Sequence, residues 1–234
     1  MLVAAPLAHR SDGFRAGQVR LRVEARPARL RSLALAPLIE RGRGVAMPFV
    51  EFMMRIALHG IPGAGKSTLA RLLLEEFGRI GRQAVVVRLA EPLYQLQSLV
   101  YRLAGSPLPD PAVQDGLLLA DLAGHLRRIN PDALTADFRR RVERLADTAP
   151  EAVMVCDDLR VPDINCVRDL GFTLVRVDAD PELRRARRAQ RGDLTCREER
   201  GMVPAAVSDV VVRNDGSLAE LRAAAQALVG RVTA

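Results

Sequence analysis

Of the 35 basic residues in this chain all but one are arginine, and the single lysine, Lys66, lies in the stretch Gly60-Ile61-Pro62-Gly63-Ala64-Gly65-Lys66-Ser67. That stretch fits the pattern G-x-x-x-x-G-K-[ST], which has physical meaning only between a strand and a helix. The context is present. Residues 55–59 (Arg-Ile-Ala-Leu-His) read as a short apolar strand and residues 66–78 as a helix. Glycines let the backbone curl and turn its N–H groups inward, and the following helix adds free N–H donors and partial positive charge. The backbone of Gly60, Ile61, Pro62, Gly63, Ala64 and Gly65 is therefore expected to wrap a polyphosphate. Lys66 would reach the β- and γ-phosphates, Ser67 would ligate Mg²⁺, and Thr68 would lie near the α-phosphate.

The rest of the chain is consistent with one α/β domain. Further short runs rich in Val, Ile, Leu and Ala occur at 84–88, 152–156, 173–177 and 208–212. They do not alternate strictly, so both faces are expected to be buried, as in a parallel sheet covered by helices. Helical patterns fall at 92–103, 114–127, 132–146, 162–169, 181–191 and 217–229. Helices between strands imply right-handed crossovers. The expected fold is a three-layer sandwich around a five-stranded parallel sheet, with a helical insertion over 89–146 and a small arginine-rich lid over 181–204.

Residues 1–53 differ from the remainder of the chain. Four prolines interrupt them, and nine arginines face four acids, whereas 26 basic groups nearly balance 24 acidic ones after residue 53. The segment reads as a loose or weakly packed extension, with some transit-peptide character in its arginine-rich composition. Aromatics are 3% and tryptophan is absent, so a nucleic-acid surface with stacking platforms is not expected. No run of eighteen apolar residues suggests a membrane span. Cys156, Cys166 and Cys196 are too scattered for a disulfide framework or closed zinc site, which favours a reducing cytoplasm.

Three other groups of residues point to phosphate chemistry. The apolar run 152–156 ends in Asp157-Asp158-Leu159-Arg160. Ligands sit beyond the C-terminal strand ends of open α/β sheets. Asp157 or Asp158 would hold the Mg²⁺ water shell or accept a proton, and strand register leaves open which one. Arg160 would reach a substrate phosphate. Arg184, Arg187, Arg188 and Arg191 fall at i, i+3, i+4 and i+7, on one helix face. Such a stripe over phosphates would neutralise charge during transfer. On the acceptor side, Glu91 follows a strand end, and Arg127 and Arg128 close a helix where a monophosphate could bind. Tyr94 and Tyr101 share a face that would stack a base or pack into the core. Asn214 and Gly216, after the last strand, would border the adenine.

A conventional GTPase needs an Asn-Lys-x-Asp loop, which a chain with one lysine at Lys66 cannot have. The order of features resembles the P-loop nucleotide kinases, and most closely the deoxynucleoside monophosphate kinase group, over roughly residues 54–232. The resemblance rests on Gly60–Ser67, Leu89-Ala90-Glu91-Pro92-Leu93, Asp157-Asp158-Leu159-Arg160-Val161-Pro162 with Leu170-Gly171, Arg191-Gly192-Asp193, and Asp209 through Gly216. It implies ATP with Mg²⁺ as donor, a small phosphorylated acceptor, Arg160 and the lid arginines on phosphates, and Glu91 beside the acceptor. That group usually has Asp where Glu91 stands, and Asn-Glu where this chain has Asp163-Ile164. Both departures fall on the acceptor side. Dephospho-coenzyme A kinase is similar in layout and is the alternative enzyme. An ATP-binding switch that transfers nothing is the alternative of another class.

Overall fold

The computed structural model describes residues 54–110, 112–195 and 207–233. The expectations for residues 1–53 and for the lid beyond residue 195 lie outside the described residues. The strands are β1 (Arg55–His59), β2 (Ala84–Val86), β3 (Val153–Cys156), β4 (Thr173–Asp178) and β5 (Val210–Arg213). The helices are α1 (Lys66–Arg79), α2 (Glu91–Leu103), α3 (Gly116–Ile129), α4 (Ala133–Thr148), α5 (Ile164–Asp169), α6 (Pro181–Arg191) and α7 (Leu218–Thr233), with a 3₁₀ turn at Val161–Asp163. All four strand pairings are parallel, in the order β2-β3-β1-β4-β5. The five-stranded parallel sheet and its helices agree with the fold class read from sequence.

The sheet is dressed on both faces because its side chains alternate. Ile56, Leu58, Val153, Val155, Val175, Val177, Val210 and Val212 meet Leu69, Leu72, Leu73 and Phe77 of α1 and Leu221, Ala225 and Leu228 of α7. Ala57, Met154, Cys156 and Leu174 point the other way, onto Leu134, Phe138 and Val142 of α4 and Val167 of α5. The absence of strict apolar–polar alternation in the sequence is the mark of this double burial.

Local signals set the helix ends. Asp180 accepts a hydrogen bond from the Glu182 N–H at 2.8 Å, Pro181 takes the first helical position, and Gly192 ends α6 at φ 77°. α1 is different. Its N-cap is Gly65 at φ 101°, with no side chain capping it and no acid in its first turn. The free N–H groups of that helix end are left for a ligand.

Phe138 is fully buried, with its ring centroid 5.7 Å from that of Phe172. Phe138→Ala is expected to cost about 3–5 kcal/mol of unfolding free energy, read by urea denaturation at unchanged m-value.

Candidate active site

β1 and β3 are hydrogen-bonded neighbours, Arg55 against Met154 through Ala57 against Cys156. The loops that leave them therefore emerge side by side. One is the glycine loop, Gly60–Gly65, and the other carries Asp157 and Asp158.

The glycine loop is held from outside its own sequence. A Cβ on Gly63, at φ +85°, would sit 2.5 Å from the Arg184 backbone carbonyl oxygen of α6. A Cβ on Gly65 would sit 2.2 Å from Nδ2 of Asn214. Those separations admit no side chain, so only glycine lets the loop seat against α6 and the turn after β5. Asn214 is buried, and its Nδ2 donates to the Ala64 carbonyl at 2.8 Å. Asn214 thus braces the loop from beneath, while Gly216 lies against Glu220. Neither residue lines the large cleft above the loop.

Lys66 folds back over the loop. Its Nζ donates to the carbonyls of Gly60 at 2.8 Å and Ile61 at 3.2 Å. Burial, and then the Arg160 guanidinium, pull its pKa down to about 7 against the opposing pull of Asp157. His59, at the end of β1, bonds Ser208 Oγ at 2.8 Å, and burial lowers its pKa to about 4, so it stays neutral beside the loop.

The two aspartates left open by the sequence are distinct in the structure. Asp158 accepts the backbone N–H groups of Leu89 at 2.8 Å and Ala90 at 2.9 Å, and so fixes the start of α2. Burial, and then the neighbouring Asp157 charge, raise its pKa. Asp157 is also buried, but its Oδ1 accepts no hydrogen bond and has only Arg88 Nε at 3.4 Å. A buried carboxylate oxygen so poorly satisfied is costly unless a cation or donor arrives.

Both aspartates face a cleft of about 940 Å³. Its floor is Gly63 and Gly65–Thr68, and one wall is the α2 face carrying Glu91, Tyr94, Gln95, Ser98 and Arg102. Arg88, Arg160 and Arg191 also line it. Burial and the nearby carboxylates raise the Tyr94 pKa, keeping its hydroxyl protonated. Tyr101 is elsewhere, its hydroxyl donating to Asp115 Oδ2 at 2.7 Å. No described cluster of three His, Cys, Asp or Glu residues could cage a metal.

The arginines expected over phosphates divide. Only Arg191 of the α6 stripe lines the cleft, and it pairs with Asp193 at 2.6 Å. Arg184 Nε donates to the Ala179 carbonyl at 3.1 Å, and Arg187 Nη1 to the Asn214 carbonyl at 3.0 Å. Arg188 Nε is buried without a hydrogen bond and outside the cleft lining. The first turns of α6 pack on the glycine loop and on the strand-end turns, which takes these side chains to backbone carbonyls. Arg127 donates to both carboxylate oxygens of Asp163 at 3.0 Å, and Arg128 is exposed; neither lines the cleft. Arg88 and Arg102 do not stand out in the sequence. Arg88 has one usable signal, its place at a parallel strand's C-terminal end; Arg102 has none in so arginine-rich a chain.

The sequence matches no protein-family model and no curated protein. Solved structures do match. The APS kinase of Mycobacterium tuberculosis, in complex with AMPPNP and APS, aligns over 78% of this chain and 98% of its own, at 18% identity and a TM-score of 0.50. The fold is that of a P-loop kinase. A gluconokinase from Sinorhizobium meliloti aligns over 78% of this chain and 94% of its own, at 19% identity and a TM-score of 0.43. A shikimate kinase from Acinetobacter baumannii, in complex with shikimate, aligns over the same shares at 15% identity and a TM-score of 0.39. At these identities the P-loop kinase likeness is one of fold.

A buried lysine near neutrality has a measurable consequence. With a folded pKa of about 7 against 10.5 in the unfolded chain, Lys66 is largely neutral in the free protein at pH 8. Phosphates beside it favour the charged form and raise its pKa. ATP binding at pH 8 is therefore expected to take up close to one proton, and at pH 6 much less. Calorimetry in buffers of different ionisation enthalpy reads this uptake, and Lys66→Met should abolish its pH dependence.

Proposed function

We propose that the protein is an ATP- and Mg²⁺-dependent phosphotransferase that moves the γ-phosphoryl group to a small phosphorylated acceptor. The acceptor class favoured by the sequence is a (deoxy)nucleoside monophosphate or modified nucleotide. The observation that carries the reading is the meeting of Lys66, on an uncapped helix end, with the unsatisfied Oδ1 of Asp157 on the floor of one large cleft.

Gly63–Thr68 would receive the triphosphate through backbone N–H groups, and Lys66 would exchange its two carbonyl partners for phosphate oxygens. Ser67 and Asp157 would hold Mg²⁺, which when bound neutralises charge on the β- and γ-phosphates. Arg160 and Arg191 face the same space and would stabilise charge on the transferring group. Glu91, at the first turn of α2, would take an acceptor hydroxyl. An acceptor phosphate oxygen would form the new P–O bond as the bond to ADP breaks. That oxygen is already ionised, so positioning does most of the work and no strong base is required. Asp158, spent on backbone donors, has a positioning role only.

The direct experiment incubates the full chain with ATP–Mg²⁺ and a panel of nucleoside monophosphates and dephospho-coenzyme A, with products identified by mass. Acceptor-dependent ADP release is expected, with a phosphorylated product. Turnover of dephospho-coenzyme A alone would move the assignment to that activity. Slow ATP hydrolysis indifferent to every acceptor would favour a nucleotide-binding switch. Lys66→Ala and Asp157→Asn should each lower kcat by about 10²-fold or more. Asp157→Asn should leave the melting temperature unchanged or raised, because the buried Oδ1 accepts no hydrogen bond and its ion-pair partner, Arg88, is half-exposed. Asp158→Asn should instead lower it.

A further inference from the structure

The cleft holds four arginines, and they are not equivalent. Arg88 lies against Asp157 and Arg191 against Asp193. Among the described residues, the guanidiniums of Arg160 and Arg102 make no hydrogen bond and no ion pair. Arg160 stands at the near end, close enough to Lys66 to depress its pKa. Arg102 stands at the far end of α2, eleven residues beyond Glu91, about 16 Å of helix rise.

The α2 face between them is polar. Glu91, Tyr94, Gln95, Ser98 and Arg102 fall at i, i+3, i+4, i+7 and i+11, one stripe along the cleft wall. Gln97, on the opposite side of the helix, is buried and spent. Its Nε2 donates to the Val113 carbonyl at 3.1 Å and its Oε1 accepts from the Asp115 N–H at 2.8 Å. That pairing ties the 113–115 segment to α2, and Leu108, Ala112 and Gln114 line the same cleft as Arg102. Asp110 is there too, and its Oδ1 accepts the Ala112 N–H at 2.7 Å instead of pairing with Arg102.

We propose that Arg102 is a specificity-determining residue, and that the acceptor is a two-ended anion: a phosphorylated molecule with a hydroxyl-bearing middle and a second anionic group at its distal end. The near anion lies by Arg160, the hydroxyls run past Tyr94, Gln95 and Ser98, and the distal phosphate or carboxylate takes the fork of Arg102. Two unpaired guanidiniums joined by hydrogen-bonding groups select such a molecule, because each charge-assisted contact is lost if either end is neutral. This deepens the phosphotransferase reading and rests on it for the chemistry at the near end only.

The test uses matched probes that differ at the distal end: 6-phosphogluconate against glucose 6-phosphate, and deoxyadenosine 3′,5′-bisphosphate against deoxyadenosine 5′-monophosphate. The first pair supplies a distal carboxylate and the second a distal phosphate. Affinity for the full chain saturated with a non-hydrolysable ATP analogue and Mg²⁺ is measured by calorimetry, and ADP release with ATP is measured separately. In at least one pair the two-ended member should bind about tenfold tighter or better. Arg102→Gln should erase that preference, Arg102→Lys should keep part of it, and neither change should alter affinity for the one-ended member or the thermal melt of this exposed position. Equal affinity within both pairs, no binding of any probe, or a preference that survives Arg102→Gln would overturn the inference. A preference lost in Arg102→Gln without any ADP release would uphold the anion subsite and defeat the phosphotransferase reading. ADP release with no distal preference would do the reverse.

Discussion

Parallel pairing of β1 with β3 is the constraint on which the site depends. A parallel neighbour sends both chain exits to the same sheet edge, so Lys66 and Asp157, ninety-one positions apart in sequence, share a floor. The register is held by burial on both faces. Ile56 and Val155 pack under α1 and α7, while Ala57 and Met154 pack under α4 and α5. A one-residue slip of β1 would exchange these sets and carry the glycine loop away from α6 and Asn214. The close seating of Gly63 and Gly65 is the second half of the constraint. It ties the loop to two later elements, so α6 and the turn after β5 are part of the glycine loop's seat although neither lies near it in sequence.

The electrostatics follow from that geometry. Lys66, Asp157 and Asp158 are gathered at the floor of the cleft, and each is compensated in a different way. Asp158 is compensated by two backbone N–H groups. Lys66 donates to two carbonyls, while burial and then the Arg160 charge lower its pKa. Asp157 is the least compensated. Under the proposed function, a polyphosphate with its cation would supply negative charge beside the lysine and positive charge beside the aspartate.

Much of this was legible in the sequence because it rests on local pattern. The phosphate loop, the five strands and the seven helices announce themselves through glycine spacing, apolar runs and caps such as Asp180-Pro181. β2 is the shortest of the strands, three residues where the sequence pattern predicts five, 84–88, because Asp158 takes the N–H groups of Leu89 and Ala90 and turns the chain into α2. What could not be read is tertiary. Parity along β3 leaves Asp157 and Asp158 symmetrical until the β2–α2 turn is placed against one of them. The α6 stripe satisfies the helical spacing of a phosphate-facing row, yet Arg184 and Arg187 are taken by backbone carbonyls that no sequence pattern reveals. Arg127 has the look of an anion site and is instead the partner of the buried Asp163. In a chain that uses arginine almost everywhere, arginine by itself carries little information.

The cleft's two ends are mechanically joined through Asp115. Its carboxylate accepts the hydroxyls of Tyr101 and Thr195 and the N–H of Leu118. The Leu194 N–H donates to the Gln114 carbonyl at 3.1 Å, and the Gly116 N–H to the Thr195 carbonyl at 3.1 Å. The chain leaving α6 is therefore fastened to the segment that closes the far end of the cleft, and to the helix that carries Arg102. Arg191, three residues before Leu194 and two from its partner Asp193, shares that fastening. Arg191, which lines the cleft, and the far wall are thus linked through one group of hydrogen bonds. In this arrangement the far wall of the cleft and the chain that leaves α6 are tied together, so a displacement of one is carried to the other.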